Sequence, residues 1–117
     1  VRLTEDNVET LLDKADLVVD CFDNQQSRLL VSGHCRAKQK PLVHAALAAD
    51  GSFGLVRWDG RFVADAEDQE GQATCEGGQH LPLIGLLGAT LARSIQDFVK
   101  SATERDFMVS LSGVNET

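Results

Sequence analysis

Asp16-Leu-Val-Val-Asp-Cys-Phe-Asp-Asn24 is the stretch on which the fold of this chain turns. Leu17 to Phe22 is short, apolar and rich in β-branched residues, the pattern of a strand covered on both faces. It runs directly into Asp23 and Asn24, whose side-chain oxygens suit the free amides that open a helix, and Arg28 follows four residues on. A strand that ends in a carboxylate at a helix start is how an open α/β sheet presents an acid to a ligand at its carboxyl edge. Taken alone, Asp23 and Asn24 are better explained simply as helix caps.

The flanking sequence extends the alternation. Upstream, a helix is expected from a Thr4 cap through Val8, Leu11 and Leu12. Downstream, a helix over residues 25–38 is expected to place Leu29, Leu30, Gly33 and Ala37 on one side and Arg36 and Lys38 toward solvent. Pro41 ends it, and Leu42 to Ala49 with Phe53 to Trp58 form two apolar strands joined at Asp50-Gly51, a hairpin signal. Residues 59–78 have almost no apolar periodicity and carry the acidic run Asp65-Ala-Glu-Asp-Gln-Glu70, which predicts a mobile crossover loop. Pro82 suits a first helical turn, and the residues from there to Val99 are apolar nearly all round, predicting a central buried helix. Phe107 to Leu111 is expected as a last strand before a polar tail. The sum is an α/β domain with the Leu17 to Phe22 strand central and parallel to its neighbours.

Composition sets limits. A chain of 117 residues makes one domain that buries roughly two-thirds of its unfolded surface. Eleven Lys and Arg against 18 Asp and Glu give a formal net charge of −7, which disfavours nucleic-acid backbones and anionic membranes as partners. No window approaches the ~18 uninterrupted apolar residues of a membrane span, and no basic-apolar leader opens the sequence, so a cytoplasmic location is expected. Three cysteines do not make a disulfide framework, and reduced thiols are the simpler expectation.

The order from Asp16 to Pro41, strand, D-C-F-D-N, three residues, Arg28 and a helix into Lys40-Pro-Leu-Val43, resembles the second half of the ThiF/MoeB/HesA family of adenylyltransferases related to ubiquitin-activating enzymes. A second block is similar to the same family: Thr74-Cys75-Glu76, then Leu81-Pro-Leu-Ile-Gly-Leu-Leu-Gly88, the run that opens a long helix. The similar segments span roughly residues 8 to 99 in the family's order. The resemblance implies a Rossmann-like, mostly parallel sheet with flanking helices. It also implies that a nucleotide-binding βαβ unit lies before Val1, so the chain reads as a partial, N-terminally incomplete domain. The glycines present, Gly77-Gly78 and Gly85 with Gly88, do not form a G-x-G-x-x-G loop after a strand.

The activity implied is ATP-dependent adenylation of the C-terminal carboxylate of a ubiquitin-like or sulfur-carrier protein, by a homodimer using ATP and Mg2+. The resemblance assigns Asp23 to the magnesium ion, since hard cations prefer oxygen ligands, and places Asn24 beside the nucleotide. Arg28, one turn on, orients the Asp-Asn corner rather than touching phosphate, and Asp20, within the strand, is structural. Cys75 matches a crossover-loop cysteine that in some members links covalently to the partner. Its position before a helix favours thiolate character, whereas Glu76 and the acidic run oppose it. His34, His44 and His80 show no metal-ligand spacing.

The sequence also departs from the family. The two C-x-x-C pairs that hold a structural zinc in many members are missing here, so no structural zinc is expected. His44-Ala45 stands where small residues are frequent, and Asp50-Gly51-Ser52 replaces Glu-Gly-Gln. A noncatalytic docking or dimerisation module is the alternative function. A nicotinamide-dependent dehydrogenase fits less well, because it leaves the Thr74-Cys75 and Pro82 to Gly88 block without a role.

Overall fold

A computed structural model describes residues 2–62 and 80–117. The elements are α1 (Val8–Leu12), β1 (Val18–Asp20), α2 (Gln25–Lys38), β2 (Leu42–Leu47), β3 (Gly54–Trp58), a short 3-10 turn (Asp59–Arg61), α3 (Leu81–Ser101), β4 (Phe107–Ser110) and β5 (Gly113–Glu116). The described strands form one five-stranded sheet in the order β1-β2-β3-β4-β5. β1 pairs parallel to β2, with Asp20 opposite His44, because α2 carries the chain back over the sheet between them. The remaining pairs are antiparallel.

The fold is α/β as expected, with a mixed sheet. Two local connections make it so. The β2–β3 link is a tight turn in which the Ala48 amide bonds the Phe53 carbonyl at 2.9 Å, and Gly51 adopts a φ of 72°. A Cβ at Gly51 would also lie 2.3 Å from the His80 ring, so glycine is required there on two grounds. The second link joins β4 to β5 through Leu111 and Ser112, and this last strand occupies what the sequence presented as a polar tail. It is fastened by Arg105, which bridges Asp97 on α3 and Glu116 on β5. β1 is parallel to its partner as expected, yet it stands at the edge of the described sheet rather than at its centre.

α2 and α3 lie on opposite faces. On one side Val31 and Cys35 of α2 pack with Val18 and Leu42. On the other, Leu83 and Leu87 of α3 pack with Val43, Val56, Trp58, Phe107 and Val109. Val43, Val56 and Val109 are wholly buried, each worth about 1.5–3 kcal/mol over an exposed valine. Trp58 donates its indole N–H to Ser94 Oγ at 3.0 Å, and the Ser94 hydroxyl donates to the Arg105 carbonyl at 2.7 Å. That chain satisfies the polar atoms of the larger core.

Both long helices start and stop close to where the sequence placed them, but their buried faces differ from expectation. α2 buries Arg28, Val31 and Cys35, while Leu29 is 59% exposed and Gly33 and Ala37 face solvent. The inward stripe therefore includes an arginine, which an apolar count overlooks. α3 is buried on one face only: Leu83, Leu87, Thr90 and Ser94 point to the sheet, and Leu81, Leu86 and Val99 are exposed. At the start of the chain, Thr4 does not cap α1 with its side chain; its amide instead donates to Asn7 Oδ1 at 2.7 Å.

Candidate functional site

The corner after β1 is built from the backbone outward. Asp20, the last residue of β1, has no exposed surface, whereas Cys21, Phe22, Asp23 and Asn24 emerge at the carboxyl end of the strand. Asn24 caps α2 from an extended conformation and accepts the Ser27 amide at 2.8 Å, which leaves its NH2 group as the outward donor. That group lies 3.4 Å from Asp23 Oδ1, so the two residues sit together as the sequence expected. Asp23 is exposed, and no cation pairs with it among the described residues.

Arg28 supports this corner from behind. Arg28 is buried, and its guanidinium donates to Asp20 Oδ2 at 3.2 Å, to the Ala45 carbonyl at 3.2 Å, and to the Phe22 carbonyl. The Phe22 amide in turn donates to Asp20 Oδ1 at 2.8 Å. Both peptide groups of Phe22 are thus held by the Asp20–Arg28 pair, one residue before Asp23. Arg28 makes no side-chain bond to Asp23 or Asn24. Cys75, and with it Thr74 and the acidic run, lies outside the described residues.

A polar cluster that sequence reading missed lies beside the pair. His44, on β2 and 1% exposed, places Nδ1 2.5 Å from Asp20 Oδ2 and Nε2 2.7 Å from Asp59 Oδ1. Asp59 also accepts Ser32 Oγ–H at 2.8 Å and Arg36 Nε–H at 2.6 Å. Burial alone would raise the Asp59 carboxyl, but donation by His44, Arg36 and Ser32, with the Arg36 charge, holds it below its ordinary value. Phe62 stacks on the His44 ring with centroids 4.0 Å apart, and the Arg28 guanidinium lies 5.4 Å from the Phe62 ring centre.

A signal for this cluster was present in the sequence. Arg28, Ser32 and Arg36 recur every four residues on one face of α2. Asp20 and His44 each follow a pair of apolar residues in adjoining parallel strands, which puts them at one register position.

The described cysteines, Cys21 and Cys35, are both free. Burial first, then the Asp20 carboxylate, pushes the Cys21 thiol up against the opposing pull of Arg28. Burial and Asp59 do the same at Cys35 against Lys40. Both therefore favour the protonated thiol. A cavity of about 620 Å³ between residues 2–5 and Gln26, Leu29 and Leu30 is separate from the corner residues and contains no titratable pair of comparable burial.

Asp23 fits a magnesium role of one kind. Its oxygens are exposed, and no group of three or more His, Cys, Asp or Glu among the described residues is arranged to hold a metal ion by itself. A single carboxylate suits an ion that is otherwise held by water and substrate phosphates. No described helix is long and apolar enough to cross a membrane.

Comparison with known proteins places the chain. The family model described as ThiF family matches residues 1–115. The "Adenylyltransferase and sulfurtransferase UBA4" of Debaryomyces hansenii is 30% identical over 96% of this chain and 28% of its own length. The protein of the same description in Pyricularia oryzae is 32% identical over 78% of the chain and 22% of its own length. The "Adenylyltransferase and sulfurtransferase MOCS3" of Aedes aegypti is 30% identical over 79% of the chain and 23% of its own length. The chain thus spans about a quarter of the length of these relatives.

Proposed function

The chain belongs to the ThiF family, and from that premise we propose that it is part of an enzyme that uses ATP to adenylate the C-terminal carboxylate of a ubiquitin-like or sulfur-carrier protein. The observation that carries this reading is the corner itself: an exposed Asp23 at the carboxyl end of a parallel strand, capped by Asn24 and held from behind by a buried Arg28. Such strand ends are where α/β sheets receive ligands. The relatives' description as adenylyltransferases and sulfurtransferases supports the reaction class.

In this reading Asp23 would hold the magnesium ion against the nucleotide phosphates, where the ion supplies charge neutralisation during transfer at the α-phosphate. Asn24 offers its NH2 group toward the nucleotide, because its oxygen is already committed to the α2 cap. Arg28 positions the corner through the Phe22 carbonyl and leaves phosphate contacts to other groups. The partner's carboxylate attacks the α-phosphate, giving an acyl-adenylate and pyrophosphate, and no protein nucleophile is needed for that step. Cys75 acts afterwards, its thiolate displacing AMP from the acyl-adenylate to form a thioester. A cytoplasmic location and a homodimer complete the proposal.

Incubating the complete protein with ATP, magnesium and a carrier protein ending in a free carboxylate tests it. Mass spectrometry should show the carrier with AMP added at its C-terminus. A carrier that binds but is never adenylated would support a noncatalytic docking module instead.

A further inference from the structure

Apart from Arg28, the most buried polar cluster has no role in the steps above. Asp20 and His44 are essentially without exposed surface, and Asp59 joins them through the second nitrogen of the same imidazole. A neutral imidazole has one N–H and one lone pair, and an ionised carboxylate only accepts. Asp20 receives the Phe22 amide and the Arg28 guanidinium, and Asp59 receives Ser32 and Arg36, so both carboxylates are surrounded by donors suited to their ionised forms. The ring is thus held at both nitrogens, 2.5 Å from Asp20 Oδ2 and 2.7 Å from Asp59 Oδ1.

We propose that His44 is a positioning residue: held through its two ring nitrogens between Asp20 and Asp59, it fixes the Asp20–Arg28 pair and through it the placement of the Asp23–Asn24 corner. The path is short. Asp20 Oδ2 is shared by His44 and Arg28, Asp20 Oδ1 holds the Phe22 amide, and Arg28 holds the Phe22 carbonyl. Phe62, stacked 16° from parallel, fixes the plane of the ring. Without His44, Asp20 would be balanced by Arg28 alone. The guanidinium would then be free to move toward it and loosen its hold on the Phe22 carbonyl. The effect on catalysis rests on the adenylation reading; the effect on corner geometry does not.

The experiment uses the complete protein, isotopically labelled, as wild type and as His44→Gln. In folded H44Q the backbone amides of Cys21 to Asn24 should shift, while those of Leu87 and Val109 across the sheet stay in place. Partner-dependent ATP–pyrophosphate exchange should fall about 10- to 100-fold in kcat, with KM for ATP within about twofold, as expected when a reacting group is misplaced rather than removed. A folded H44Q with unmoved corner amides overturns the proposal. Moved amides with unchanged kcat overturn its part in the reaction. Shifted corner amides in H44Q together with a wild type that shows no exchange refute the adenylation reading and support the positional claim. If H44Q does not fold, Asp59→Ala, which releases the other side of the ring, should shift the same amides, and unmoved amides there overturn the proposal.

Discussion

Replacing Arg28 by methionine keeps most of the side-chain volume and removes the charge with its three bonds. Asp20 would remain in an interior where it has no exposed surface, with only His44 and the Phe22 amide as partners. Breaking a buried ion pair by removing one member costs about 3–5 kcal/mol. Some relief comes from His44, which still faces the carboxylate, so the lower half of that range is expected. Arg28→Lys keeps the charge but cannot reach Asp20, Phe22 and Ala45 together, and should cost about 1–2 kcal/mol through lost hydrogen bonds. Urea denaturation followed by the fluorescence of Trp58, the one tryptophan of this chain, gives the readout. With a slope of about 1.5–2 kcal/mol per molar urea, the midpoint of R28M should fall by roughly 2 M. A loss below about 1 kcal/mol for R28M, or equal losses for R28M and R28K, would show that the pair does not hold this corner.

Further outcomes are expected. The Asp59 carboxyl is held below its ordinary value, so it adds stability above its unfolded pKa of about 3.9, and that stability is lost as pH falls through the lower folded value; the gap between wild type and D59N in thermal melts should therefore close between about pH 5 and pH 2. Cys75→Ala in the complete protein should keep partner-dependent exchange and lose any thiol-sensitive adduct; loss of exchange from a folded C75A would move Cys75 into the adenylation step. The 117 residues alone contain no glycine-rich phosphate loop and should bind ATP weakly or not at all, and calorimetry giving micromolar affinity would contradict this.

Much of the fold was legible because its signals are local. The Asn24 cap, the Pro41 stop and the Asp50-Gly51 turn each act within a few residues, and the elements they bound form where they were expected. Strand position in the sheet is a nonlocal property, and the apolar run around Val18 reads the same at an edge as at a centre. β5 escaped notice because Gly113 to Glu116 is polar, and it is held by backbone pairing and by Arg105 rather than by apolar burial. The site divides in the same way. Asp23 and Asn24 are adjacent in sequence and were found together, whereas Asp20, His44 and Asp59 come from three elements and meet only through strand register and the close of β3. The four-residue spacing of Arg28, Ser32 and Arg36 and the like positions of Asp20 and His44 in their strands were the signal present, and it names no partner until the strands pair.

Pyrophosphate exchange by the complete protein carrying Asp23→Ala bears most directly on the central claim. Asp23 is exposed and unpaired with any described cation, so the substitution should leave the urea midpoint unchanged while partner-dependent ATP–pyrophosphate exchange falls by about a hundredfold or more. A folded D23A protein exchanging at the wild-type rate would contradict the assignment of this corner to the nucleotide.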